Sequence, residues 1–193
     1  MTNDVDRQKK ALRAEIRERR RNVPSITADR YAAGLTDELI NLVNHYKARS
    51  FSCYLPAGFE PNTRPFLNWA HDKGLRALFP VSREDGLLDW VVGDGESERE
   101  GLLGVPEAVG EILSPMAVND VDLMIIPACA VDATGMRVGW GRGYFDKTIG
   151  SMETHPPIYA VIFDTELVDT VPQDLHDQPV SGVVTPTRTI TFA

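Results

Sequence analysis

The chain has 193 residues, 42% hydrophobic and 25% charged, which suits one soluble domain with a sizeable core and is short for two. Its net charge of −8 hides an asymmetry: residues 7–21 hold eight Lys/Arg against two Glu, leaving 12 basic and 26 acidic side chains elsewhere. The basic N-terminus lacks the apolar stretch of a secretory signal, and the longest apolar run, 121–131, is broken by Asp122 and Pro127 and is too short for a bilayer, so a cytoplasmic protein is expected.

The basic segment comes first. Over residues 5–22 the pattern is helical, with Leu12 and Ile16 forming a thin apolar stripe. A basic pole on an acidic protein calls for an anion, whether phosphate, polyglutamate or nucleic acid. Pro24 stops this helix, and Ser25 serves as the N-cap of a second one running to Tyr46.

Strands and helices then alternate. Residues 50–55 read as a buried strand, 63–73 as a helix capped by Thr63, and 76–81 and 87–92 as strands. The Gly- and Glu-rich stretch 93–119 reads as a surface excursion carrying a short helix. Residues 123–127 form a strongly apolar strand, followed by a glycine loop and a helix starting near Tyr144. Further central strands are expected at 158–163 and 182–185, with an edge strand at 189–192. Short, nearly all-apolar strands alternating with helices predict an α/β fold, a three-layer α/β/α domain with a mostly parallel central sheet. The whole chain, residues 1–193, is expected to be that single domain. Cys53 and Cys129 lie far apart in apolar surroundings and read as buried free thiols, with one disulfide as the open alternative. No CxxC or close Cys/His set offers a structural zinc site.

The densest chemistry is Arg137-Val138-Gly139-Trp140-Gly141-Arg142-Gly143-Tyr144-Phe145-Asp146. Alternating glycines let successive backbone N–H groups converge on phosphate oxygens, and the following helix adds its positive end. Arg137 and Arg142 bring fixed cations, and Asp146 can hold Mg²⁺ against a nucleotide's phosphates. The plain alternative is a Gly-rich turn in which Asp146 only favours the first helical turn, and spacing alone leaves both open. The loop fits neither the dinucleotide fingerprint, since Tyr144 stands where the third glycine's helix packing should begin, nor the GK[ST] of a P-loop.

Taken with the preceding Asp122–Pro127 strand and the Asp132, Gly135 segment, this loop resembles the 5-formyltetrahydrofolate cyclo-ligase (5,10-methenyltetrahydrofolate synthetase) family. That family's signature is an apolar strand ending in Pro and then R-x-G-x-G-x-G-[YF]-[YF]-D, with each fixed position filled here. The resemblance extends to Lys9, Lys10 and Arg13, to Tyr54-Leu55-Pro56 with Glu60 and Thr63, and to Gly104-Val105-Pro106-Glu107. It also includes Val171-Pro172 and His176-Asp177 ahead of Val183-Val184-Thr185.

The resemblance implies an ATP- and Mg²⁺-dependent conversion of 5-formyltetrahydrofolate to 5,10-methenyltetrahydrofolate. Phosphorylation of the formyl oxygen precedes attack by N10. It implies that Lys9, Lys10, Arg13, Arg137, Gly139, Gly141, Arg142, Gly143, Tyr144 and Phe145 surround ATP, with residues 1–22 contributing the basic helix. Arg137 and Tyr144 are the catalytic candidates. Leu55, Glu60, Trp140 and Tyr144 would take the reduced folate, and Asp146 and Asp177 the metal. The outer arginines (Arg17, Arg19, Arg20, Arg21) are expected on a solvated face, and His176 beside the metal site without ligating it. Asn62 stands where an acidic residue is usual, and Ala108 where a proline is common.

The partners expected are small molecules, reduced folate and ATP, bound by a monomer, with no nucleic acid and no membrane. Outside the basic helix the chain is acidic and shows no aromatic–basic interleaving, which sets nucleic acid aside. The alternative that remains is a non-catalytic nucleotide- or folate-binding regulator on the same fold.

Overall fold

Successive strand residues point to opposite faces, so a strand in which every side chain is apolar needs cover on both. The strand β7 (Leu123–Pro127) shows how that requirement is met in the computed structural model, which describes residues 3–193. Leu123 and Ile125 pack with Leu35, Leu39, Phe51 and Phe66 on one face, and Met124 and Ile126 with Val118, Ile149 and Ile158 on the other.

The first face is covered by the helices α2 (Ser25–Tyr46) and α3 (Arg64–Asp72). The second is covered by the short α4 (Tyr144–Gly150) and a 3₁₀ turn at Pro115–Asp120. Between them lie β1 (Ser50–Ser52), β2 (Arg76–Ser82), β3 (Leu88–Val92), β6 (Ile112–Leu113), β10 (Ile158–Val161), β12 (Gly182–Val184) and β13 (Thr189–Thr191). With β7 they form an eight-stranded sheet of order β13-β12-β10-β7-β1-β2-β3-β6. The five strands from β12 to β2 are parallel, and β13, β3 and β6 add antiparallel edges. The three-layer α/β/α arrangement with a mostly parallel sheet is as the sequence predicts. No helix of the described residues is long and apolar enough to cross a membrane.

Three local expectations change. Ser25 is the first residue of α2 rather than its cap; Pro24 holds the cap position and offers no side-chain bond. Thr63 does precede α3, but its hydroxyl donates to the Tyr54 carbonyl at 3.0 Å instead of capping the helix. Residues 93–119 hold the hairpin β4 (Glu98–Glu100) and β5 (Pro106–Ala108), then β6 and the 3₁₀ turn. Ala108 of that hairpin packs on Phe79, Val81 and Val91, so the stretch is anchored to the sheet.

A second small sheet joins β8 (Ala130–Asp132), β9 (Arg137–Val138) and β11 (Leu167–Val168). Its β8–β9 turn is organised by Asp132, whose Oδ1 accepts from Thr134 N (2.9 Å), Thr134 Oγ1 (2.6 Å) and Met136 N (3.2 Å), and whose Oδ2 accepts from Val171 N (3.2 Å). Burial alone would raise that carboxyl, but these bonds hold it below the ordinary range. Gly135 in the same turn has φ +88°, and a Cβ there would meet the Val180 carbonyl at 2.8 Å.

On this small sheet rests α1 (Asp4–Arg21), with Ile16 packed against Cys129, Ala130, Val138 and Val171. The expectation that Arg20 belongs to a solvated face is overturned. It is 4% exposed and makes two 2.8 Å bonds to the Glu166 carboxylate and a 3.0 Å bond to the Ala128 carbonyl. Breaking one side of such a buried pair leaves an uncompensated charge. Glu166→Gln is therefore expected to lower unfolding stability by about 3 kcal/mol in urea titrations, with most of the loss recovered in the double variant Arg20→Met, Glu166→Leu.

Candidate functional site

From β1 the chain passes through α3 to β2 on one side, and from β7 through α4 to β10 on the other. The strand order thus reverses between β1 and β7, and parallel sheets take ligands at such a point, beyond the carboxyl ends of the strands. A cleft of about 1010 Å³ opens there, with walls from α1 and from the turn joining β4 to β5. Every residue singled out from the sequence for nucleotide, substrate or metal lines it: Lys9, Lys10, Arg13, Leu55, Glu60, Arg137, Gly139, Trp140, Gly141, Arg142, Gly143, Tyr144, Phe145, Asp146 and Asp177.

One half is charged. Lys9, on the cleft face of α1, donates to Asp177 at 2.6 Å and Asp174 at 3.0 Å. Burial alone would lower its ammonium, but the two carboxylates raise it. One turn along α1, Arg13 Nε donates to the Gly139 carbonyl at 2.7 Å and pins the glycine loop. Arg137, 3% exposed, donates to Asp146 Oδ1 at 3.0 Å, and its Nε meets no acceptor among the described residues. Burial pulls that guanidinium below its ordinary range. The Gln178 amide also donates to Asp146 Oδ1, at 3.1 Å, so the segment carrying Asp177 abuts Asp146.

The glycines have a steric reason beyond phosphate. A Cβ at Gly139 would stand 3.0 Å from an Arg137 terminal nitrogen, and one at Gly141 would stand 3.3 Å from the Arg13 guanidinium. Gly141 also has φ +100° and Gly143, preceding α4, φ +72°. Only glycine takes these angles without strain while leaving room for both arginines. Arg142, between them, is exposed.

The other half is largely apolar, with Leu55, Phe59, Pro80, Leu88, Leu103, Val105 and Phe145. Glu60 Oε1 accepts from the Ala57 amide at 2.9 Å, and burial raises its carboxyl, the Ala57 bond and Arg20 only partly offsetting this. Two aromatics also line the cleft. Tyr144 donates its hydroxyl to the Arg83 carbonyl at 2.9 Å, and the Trp140 ring lies 5.1 Å from each of the Arg17 and Arg20 guanidinium carbons.

Several site residues escaped the sequence. Arg17 is exposed, as expected, but its guanidinium lies over Trp140 in the cleft lining, whereas Arg19 is exposed and pairs along the helix with Glu15. Arg21 pairs with Glu18 at 2.8 Å and reaches the cleft rim. Asp174, the second partner of Lys9, had a signal in its spacing of three from Asp177. Glu107 closes the Gly104-Val105-Pro106-Glu107 segment of the family resemblance, and the structure puts it in the lining. His176 is exposed and outside the lining. Cys53 and Cys129 are free and buried, and burial raises both thiols.

A divalent cation fits the donor set. Among the described residues no cluster of three or more His, Cys, Asp or Glu is present. Mg²⁺ takes one or two carboxylates and fills its octahedron with phosphate oxygens and water, a set that Asp146 and Asp177 could begin in a cleft lined by nine lysine and arginine side chains.

Residues 5–186 match the sequence profile of the 5-formyltetrahydrofolate cyclo-ligase family. A 5-formyltetrahydrofolate cyclo-ligase of Mycolicibacterium smegmatis is 31% identical over 95% of this chain and 96% of that protein. The Mus musculus enzyme of the same name is 24% identical over 93% of this chain and 94% of its own length. The 5,10-methenyltetrahydrofolate synthetase of Aquifex aeolicus shares the fold, with a TM-score of 0.79 at 24% identity over 95% of this chain and 92% of that one. That of Mycoplasma pneumoniae gives 0.74 at 18%, over 92% and 98%. On sequence match and fold together, this chain belongs to the 5-formyltetrahydrofolate cyclo-ligase family.

Proposed function

We propose that this chain converts 5-formyltetrahydrofolate to 5,10-methenyltetrahydrofolate with ATP and Mg²⁺, in the cytoplasm. The observation that supports this best is the cleft's lining, in which cationic side chains and two carboxylates are joined by apolar side chains and the half-buried Glu60. The first set suits a triphosphate and its metal, and the second suits a flat heterocycle with N–H donors on one edge.

In this reading Lys9, Lys10, Arg13 and Arg137 neutralise the triphosphate, and Asp146 and Asp177 hold Mg²⁺, which supplies charge to the transferring phosphoryl group. The formyl oxygen takes the γ-phosphoryl group as its bond to the ADP oxygen breaks. N10 then forms a bond to the formyl carbon, its proton leaves to solvent, and the C–O bond breaks to release inorganic phosphate. No protein nucleophile is needed, so the task is positioning and neutralisation. Tyr144 and Trp140 also line the cleft, where they would bear on the bound substrates. The buried free thiols of Cys53 and Cys129 suit a reducing compartment.

The direct test follows the methenyl product by absorbance after mixing protein, 5-formyltetrahydrofolate, Mg²⁺ and ATP. Product formation dependent on all three is expected; ATP binding without product would instead point to a regulator on this fold.

Asp146→Asn should reduce kcat by about 100-fold or more while circular dichroism stays native, because it weakens the metal's hold at the transferring phosphoryl group. An unchanged rate would remove the metal assignment.

Glu60 gives a prediction that couples pH to stability. Its folded carboxyl is raised above the unfolded one, so its ionisation opposes folding once pH exceeds the usual glutamate range near ~4, and the penalty vanishes below it. Glu60→Gln should therefore melt at or above the wild type at neutral pH, with the gap closing on acidification, while reduced-folate affinity falls. A gap that widens on acidification would refute the sign.

A further inference from the structure

Glu107 is 3% exposed, yet it stands on β5 in the wall of the cleft. Among the described residues no donor reaches its Oε2, and Arg99, its neighbour across the β4–β5 ladder, stays exposed. The hairpin is shaped to let the side chain lie where it does. A Cβ at Gly101 would stand 1.8 Å from Glu107 Oε1, so only the absence of a side chain there leaves room for the carboxylate. The Gly101 amide does not satisfy it either, since it donates to the Val105 carbonyl at 2.8 Å. A carboxylate shielded from water with an oxygen unbonded is costly, and folds retain such groups where a ligand completes them.

The ligand's chemistry follows from position. Leu103, Val105 and Pro106 of the same hairpin line the cleft with Glu107, which places it in the apolar half that also holds Glu60. A second carboxylate there disfavours phosphate and favours a heterocycle rich in N–H groups. A tetrahydropterin ring presents its 2-amino group and ring N–H groups along more than one edge, directions that a single planar carboxylate cannot meet together.

Resting on the cyclo-ligase reading, we propose that Glu107 is a second substrate-binding carboxylate that accepts hydrogen bonds from the pterin N–H groups of the reduced folate, sharing them with Glu60.

The test uses the full chain and reads binding apart from turnover. Melting temperature and equilibrium titration are recorded for wild type and Glu107→Gln with 5-formyltetrahydrofolate alone and with ATP and Mg²⁺ alone. The expected result is a roughly 10- to 100-fold weaker folate Kd, an ATP Kd changed by no more than about twofold, and an unliganded melting temperature at or above wild type. Unchanged folate affinity overturns the proposal. So does a loss confined to ATP, which would assign the carboxylate to the adenine amino group. A variant that melts lower or fails to fold also overturns it, because the carboxylate then serves the hairpin's own structure. If wild type itself shows no binding of reduced folate, the cyclo-ligase reading fails first and the Glu107 assignment with it.

Discussion

The guanidinium of Arg20 and the carboxylate of Glu166 meet through two 2.8 Å bonds where water scarcely reaches, and the roof of the cleft takes its position from them. Burying both charges is expensive, so the pair is a poor source of net stability against an apolar alternative. What it supplies is register. Arg20 lies four residues beyond Ile16, seven beyond Arg13 and eleven beyond Lys9, so all four share one face of α1. Once Arg20 is fixed to Glu166 and Ala128, Arg13 meets the Gly139 carbonyl and Lys9 meets Asp174 and Asp177. A helix whose buried stripe reads Lys9, Ile16, Arg20 is held by specific charges as much as by apolar area.

Charge balance in the cleft is local. Lys9 faces two aspartates and Arg137 faces Asp146, so every carboxylate proposed for the metal already has a cationic partner. Under the proposed function, a triphosphate with Mg²⁺ would present the same kinds of charge in exchange, anions to the lysine and arginine and a cation to the aspartates. The substitution changes little in net charge, which is how a partly buried site can take a highly charged ligand without a large desolvation cost.

The layers of the fold were legible because strands buried on both faces must be apolar throughout, as 123–127 and 158–161 are. The hairpin at 98–108 was not, since its strands are three residues long, polar, and defined by the sheet they lie on. The glycine loop was legible from spacing, but the steric reason for Gly141 was not, since Arg13 lies more than a hundred residues upstream. Arg20 read as surface for the same cause. Nothing near it in sequence balances a buried charge, and Glu166 is 146 residues away. Sequence shows which residues carry chemistry far better than which distant charge each will meet.

Unpaired polar groups show where the fold leaves its bonding unfinished. Away from the cleft, Asp132 is saturated by four bonds, and Asp164 accepts from Thr185 Oγ1 at 2.7 Å and from Thr187. In the cleft wall Glu107 Oε2, Arg137 Nε and Trp140 Nε1 are buried without partners, and burial raises the Glu60 carboxyl. Ser52 Oγ and Trp90 Nε1 are the two such atoms among the described residues that lie outside that wall. Each unmet bond costs folding free energy, and a ligand that supplies the missing partner gains what the fold gave up. Three of the five buried side-chain atoms without partners among the described residues thus lie on residues of the cleft wall, where a bound ligand would be placed to supply what the fold does not.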